Sequence, residues 1–125
     1  MTKICTSIEQ SEKLIELGID INTADMYWWS TSKRSYIEAM DDGDFNEAEG
    51  HICAWSLSAL LNFLPHGTRL LKSATDEMYH CDCPKGNINK WFDNPLDAAF
   101  EIIIWLLENK KDEFYTIKKN DKRTT

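Results

Sequence analysis

Leu57, Leu60, Leu61 and Leu64 recur at i, i+3, i+4 and i+7, one apolar stripe of a helix that Ser56 can cap and Pro65 ends. A second helical pattern opens at Thr6-Ser7-Ile8-Glu9-Gln10. Two overlapping capping boxes there, Thr6 with Glu9 and Ser7 with Gln10, supply acceptors for the orphan amides of a first turn. It runs through Leu14, Ile15 and Leu17 and stops at Gly18, which adopts a left-handed conformation without steric cost. The third helix starts at Asp93-Asn94-Pro95-Leu96-Asp97, with Asn94 as N-cap, Pro95 where a missing N–H costs nothing, and Asp97 at the positive end of the dipole. Lys110 and Lys111 suit its negative end. Its polar positions Asp97, Glu101 and Glu108 form a narrow stripe, and apolar side chains fill the rest, including every residue from Ile102 to Leu107. Such a helix must be covered on more than one side, either sandwiched inside the monomer or paired with a second subunit.

Between these helices the pattern changes period. Met26-Tyr27-Trp28-Trp29 is β-prone and a polar turn from Ser30 to Ser35 leads into Tyr36-Ile37, which predicts a hairpin over 26–40. Asp41-Asp42-Gly43-Asp44 through Gly50 reads as an exposed acidic loop, the candidate for disorder inside the chain. Thr68 to Ala74 and Met78 to Cys83 read as an antiparallel pair around Thr75-Asp76-Glu77. The fold class is therefore α+β: a short, mainly antiparallel sheet of about four strands packed against an N-terminal, a central and a long C-terminal helix. Residues 1–115 are expected to form one domain and 116–125 a basic flexible tail.

At 125 residues the chain can bury roughly two-thirds of its unfolded surface, enough for one core without metals or disulfides. The net charge of −7 is unevenly spread: 8 basic and 18 acidic residues through Glu108 give −10, and 6 basic against 3 acidic beyond it give +3. An acidic body repels a phosphate backbone, so nucleic acid is disfavoured as a partner. The most apolar segment, Ala98 to Leu107, is about half the ~20 residues that cross a bilayer, which argues against a membrane span. The beginning of the chain has no apolar stretch of signal-peptide length, and four cysteines without such a signal point to thiols in a reducing cytoplasm.

His51, Cys53, His80, Cys81 and Cys83 are the soft donors. His51, His80, Cys81 and Cys83 are the candidate zinc ligands, but the His-x-Cys and His-Cys-x-Cys spacing lacks the paired Cys-x-x-Cys turn of a zinc knuckle, and packed thiols are the favoured reading. On a strand, Cys81 and Cys83 share one face and His80 the other. The His-x-Glu and Pro-Cys-x-x-Cys signature of nucleobase deaminases is not met, because His51 precedes Ile52-Cys53 and Cys83 precedes Pro84. Nothing local activates Cys53 with His66 as a nucleophile pair, and Gly43 arrives too early for a calcium loop. No cofactor is expected.

Five tryptophans, Trp28, Trp29, Trp55, Trp91 and Trp105, stand out in so short a chain. Trp28 and Trp29 are adjacent, so in a strand they face opposite sides and at least one falls outside the core. The expected association surface is Trp28, Trp29, Ile102, Ile103, Trp105 and Leu106, for a second copy or for another protein. Asp25, Trp55, Asn94 and Asp97 are the first targets for mutation, each with a structural role as turn residue, packed aromatic, cap or dipole partner.

Three stretches carry a resemblance: Glu9-Gln10-Ser11 through Leu17-Gly18 and Thr23-Ala24-Asp25-Met26-Tyr27; Ala54-Trp55-Ser56-Leu57-Ser58-Ala59-Leu60-Leu61 to Leu64-Pro65; and Asn94-Pro95-Leu96-Asp97-Ala98-Ala99-Phe100-Glu101 to Lys110. Together they resemble a group of small uncharacterised proteins of gut bacteria, their prophages and mobile elements. That resemblance implies a compact α+β architecture and a phage-like or mobile origin, and it brings no activity or catalytic residue. Relatives of that type often carry proline before Ala-Trp, where this chain has Cys53. The reading that follows is a non-enzymatic accessory protein acting by protein association. The alternatives are an acidic nucleic-acid mimic that blocks a basic partner, or a small metal-binding protein using the His/Cys clusters.

Overall fold

The computed structural model describes residues 3–30, 35–40, 45–84 and 86–109. Its first helix, α1 (Ile8–Glu16), begins at Ser7, whose hydroxyl accepts from Gln10 N while the Gln10 side chain accepts from Ser7 N. Of the two overlapping boxes only this one forms. Thr6 is fully buried instead, its hydroxyl 2.7 Å from Ser11 Oγ and accepting from Trp55 N at 3.1 Å. At the other end Gly18 takes φ 102°, Ile19 N donates to Leu14 O and Gly18 N to Ile15 O, and Ile19 packs beside the buried Leu14. These two bonds and that apolar contact make a Schellman stop.

A 3-10 turn at Ile21–Thr23 leads into β1 (Met26–Ser30), which pairs antiparallel with β2 (Ser35–Ala39) in the expected hairpin, Trp29 opposite Tyr36 and Trp28 opposite Ile37. On its other side β1 pairs with β3 (Ile52–Ala54). The helix α2 (Leu57–Leu61) is capped by Ser56, as its sequence predicts, but gives way at Asn62 before Pro65 is reached. Then β4 (Arg69–Lys72) pairs with β5 (Tyr79–Cys83), and β5 with the two-residue β6 (Gly86–Asn87). Gly67, between α2 and β4, sits at φ 92°, where a Cβ would also meet Pro84 Cγ at 3.1 Å. The final helix α3 (Pro95–Asn109) starts with Asn94 Oδ1 accepting from Asp97 N at 2.8 Å.

The sheet expected as one unit of about four strands is two three-stranded antiparallel sheets, in the orders β2-β1-β3 and β4-β5-β6. Each is built on a local hairpin, and each gains a third strand too short to carry a period-2 signal. The α+β class holds, with α3 packed against all three strands of the second sheet and against α2, and α1 against β3. This double cover answers the question posed by the apolar circumference of α3: its coat is intramolecular. Leu96, Ala98, Ala99, Phe100, Ile102, Ile103, Leu106 and Leu107 are all buried, with Ile104 and Trp105 half-buried against the same core. The positions 41–44, Lys110–Lys111 and the tail 116–125 lie outside the described residues.

The Thr6 hydroxyl ties the entry of α1 to the β3–α2 junction. Thr6→Val keeps its shape but orphans Trp55 N–H and the Ser11 hydroxyl in a buried site, and is expected to cost about 1–2 kcal/mol, read as a lower urea midpoint with an unchanged slope.

Candidate functional site

The four soft donors singled out for metal are not brought together. His51 precedes β3 in the first sheet, whereas His80, Cys81 and Cys83 lie on β5 in the second. Cys81 and Cys83 point into the core, and His80, on the opposite face of β5, sets Nδ1 3.0 Å from Lys90 O with its ring 5.2 Å from that of Trp91. Among the described residues no group of three or more His, Cys, Asp or Glu is placed to hold a metal ion.

All four cysteines are free and buried. Burial, with Asp25 adding to it, pushes the Cys5 thiol up to about 11; burial, with Cys83 and Asp82 adding, pushes Cys81 up to about 12. Cys53 is displaced in the same direction, by burial first and then by Glu47. A nucleophile or ligand needs the thiolate, and these sites disfavour it. They are packed thiols.

Ile102, Ile103 and Leu106 are at most 1% exposed, so they have no free surface on which a partner could rest. Trp28 and Trp29 are different. Both are half-buried, both lie outside the central cluster, and the strand sends them to opposite faces. Trp28 donates from Nε1 to Thr6 O at 2.8 Å and lies in register with Ile37 and Ile52. Trp29 stacks on Tyr36, ring centroids 4.6 Å apart and planes 17° apart.

The Trp29 face continues as a string of rings. Tyr27, two residues along β1 and itself buried, stacks on His51 at 5.0 Å, and Phe45 meets Tyr27 edge-on at 5.5 Å. His51 is 6.4 Å from Trp29 and accepts at Nδ1 from Asn46 N, which leaves Nε2 as the protonated nitrogen of the neutral ring. Phe45 and His51 bracket a short 3-10 turn, Glu47–Glu49, whose carboxylates are exposed. Where the aromatic string meets the core, Ile21, Asn22, Ala24, Met40, Phe45 and Cys53 line a cavity of about 130 Å³. The arrangement sets one imidazole and two exposed carboxylates beside the rings of Tyr27, Trp29, Tyr36 and Phe45.

Tyr36 was within reach of sequence reasoning, because a hairpin register that pairs Ser30 with Ser35 places it opposite Trp29. Phe45 and His51 were not, since they come from a stretch with no periodicity. The remaining mutational targets are structural here: Asp25 accepts from Ser56 N and Oγ, Trp55 is fully buried, and Asn94 caps α3 beside Asp97. No helix among the described residues is long and apolar enough to cross a membrane. No protein-family model, curated protein or solved structure matches the chain.

Proposed function

We propose that this chain is a non-enzymatic cytoplasmic accessory protein, of the phage-like or mobile-element kind its sequence resembles, that works by binding another protein through the aromatic face of its first sheet. The observation that carries this reading is the Trp29–Tyr36 stack: two large rings, half-exposed, on a hairpin outside the central core. Tryptophan and tyrosine supply much of the binding energy at protein interfaces because they bring large area at low entropic cost. Ile102, Ile103 and Leu106 are covered within the chain, so self-association through α3 would have only the half-buried Ile104 and Trp105 to use, beside the aromatic surface of the hairpin.

Affinity capture from host extract with the full chain and with a Trp29→Ala/Tyr36→Ala variant tests the reading. The expected result is a protein retained by the parent and lost by the variant, the two having equal urea midpoints. Retention by both, or by neither, overturns it. Native mass spectrometry of the same pair separates a second copy from a different protein.

A further inference from the structure

Two histidines of this chain hold their neighbours through Nδ1, and they do so in opposite senses. His80 Nδ1 lies 3.0 Å from Lys90 O, a carbonyl that can only accept, so the ring donates there and a second proton, on Nε2, leaves the bond in place. His51 Nδ1 lies 3.0 Å from Asn46 N, an amide that can only donate, so here the ring has to accept. The flipped ring would set a carbon in that place and leave the amide without this partner. When the imidazole takes a second proton, Nδ1 carries a hydrogen of its own, and two donors then face each other. Histidine is the side chain whose charge ordinarily changes between about pH 5 and 8.

The bond that fails is the one that fastens the turn to the rings. Ala48 N donates to Asn46 Oδ1, Glu49 N to Asn46 O and Gly50 N to Glu47 O, which closes the turn on itself. Asn46 N belongs to the peptide that follows Phe45, so its bond to the His51 ring also places Phe45. That ring meets Tyr27 edge-on at 5.5 Å and lies 6.1 Å from His51, which stacks on Tyr27 with planes 19° apart. Phe45 is also one wall of the cavity that Met40 and Cys53 line.

Among the described residues, the titratable and charged groups around the His51 ring come from three elements and the turn. Tyr27 lies against it on β1, Glu38 on β2 and Cys53 on β3 are the register partners of Tyr27, Tyr36 stacks on the neighbouring Trp29, and Glu47 and Glu49 stand on the turn. Carboxylates, phenols and thiols ordinarily change charge outside the range in which histidine does.

We propose that His51 is a proton-operated clasp: its neutral ring fastens the entry of the Glu47–Glu49 turn and keeps Phe45 against Tyr27, and protonation releases both. The aromatic face of the first sheet is thereby ordered at neutral pH and loosened in mild acid, with the Phe45 wall of the cavity freed at the same step. This device is independent of what the face binds.

Nuclear magnetic resonance of the full chain, labelled with 15N and 13C, tests it between about pH 7.5 and pH 5, the span in which histidine titrates. Ring 15N shifts report the protonation of each histidine, a coupling across the N–H···N bond reports the Asn46–His51 contact, and cross-peaks between ring protons report Phe45 on Tyr27. The expected result is that coupling and cross-peaks are present at the upper pH and are lost together as His51, and not His80, takes its proton. In His51→Asn, whose Oδ1 accepts from Asn46 N at every pH, the Phe45–Tyr27 cross-peaks are expected to persist throughout. No coupling at the upper pH shows that the clasp does not form and overturns the proposal. Phe45–Tyr27 cross-peaks that survive protonation of His51 in the parent overturn it without recourse to any variant. Their loss in acid in a folded His51→Asn places the pH dependence on another group and also overturns it.

Discussion

Replacing Trp55 with alanine is expected to remove about 3–5 kcal/mol of stability, the cost of truncating a large aromatic in a closed core. That is a large share of the roughly 5–15 kcal/mol that holds a domain together. Trp55 is fully buried and stands at the junction of β3 and α2. Its backbone exchanges both hydrogen bonds with Thr6, N to Oγ1 at 3.1 Å and O from N at 2.9 Å, and its indole Nε1 donates to Thr23 Oγ1 at 3.0 Å. The entry of α1 and the turn before β1 thus meet the exit of β3 at this one residue, the first through its backbone and the second through its indole. Trp55→Phe retains most of the apolar volume and loses the indole donor, so it is expected to cost about 1 kcal/mol and to remain folded. Urea unfolding of the two variants checks the order. A Trp55→Ala midpoint indistinguishable from that of the parent would show that the core repacks around the gap.

The legible parts of this fold are those in which a few adjacent residues determine the outcome. Asn94, Pro95 and Asp97 mark the start of α3, and Ser7 with Gln10 marks the start of α1, because a capping arrangement is complete within four residues. The hairpin of β1 and β2 is equally local. What was not legible depends on distant pairing. Nothing within Ile52–Ala54 announces that Met26 lies opposite Ala54, and without that pairing the second hairpin reads as part of the same sheet. The overlapping box at Thr6 illustrates the competition: once Cys5 bridges to Ser56, the Thr6 hydroxyl is drawn inside to Trp55 and Ser11, and Ser7 alone caps the helix.

The candidate site divides in the same way. Opposite orientations of Trp28 and Trp29 follow from strand geometry alone, and so does the separation of His80 from Cys81 and Cys83. The apolar circumference of α3 was legible as a demand for cover, but its source was not. Burial of Ile102, Ile103 and Leu106 follows from where the second sheet and α2 happen to sit. His51 is the clearest case of a role invisible in sequence: singled out as a donor, it serves as a ring between Tyr27, Phe45 and Trp29.

Asp97→Asn is expected to lower stability by about 2–3 kcal/mol at neutral pH, the scale of hydrogen bonds to a charged group, with the deficit smaller in acid. Lys3 Nζ and Gln10 Nε2 both donate to Asp97 Oδ1 at 2.9 Å, and Asn94 Nδ2 donates to Oδ2 at 2.8 Å, so one carboxylate ties the start of the chain and α1 to the first turn of α3. Partial burial pushes this carboxyl up, but the hydrogen bonds from Lys3, Gln10 and Asn94, with the Lys3 charge, outweigh it and hold it below the ordinary aspartate value. A group whose folded pKa is depressed binds protons more readily when unfolded, so its stabilisation is present above the unfolded value near 4 and is lost as pH falls through the folded one. Asparagine keeps the shape and an acceptor but has no charge to lose. The difference in unfolding free energy between the two proteins should therefore be constant from about pH 7 to pH 5, and should shrink below about pH 4 as the parent carboxylate takes its proton. Urea midpoints measured for both proteins at pH 7, 5 and 3 read it directly. A gap that stays constant to pH 3 would place the role of Asp97 in its shape and not in its charge.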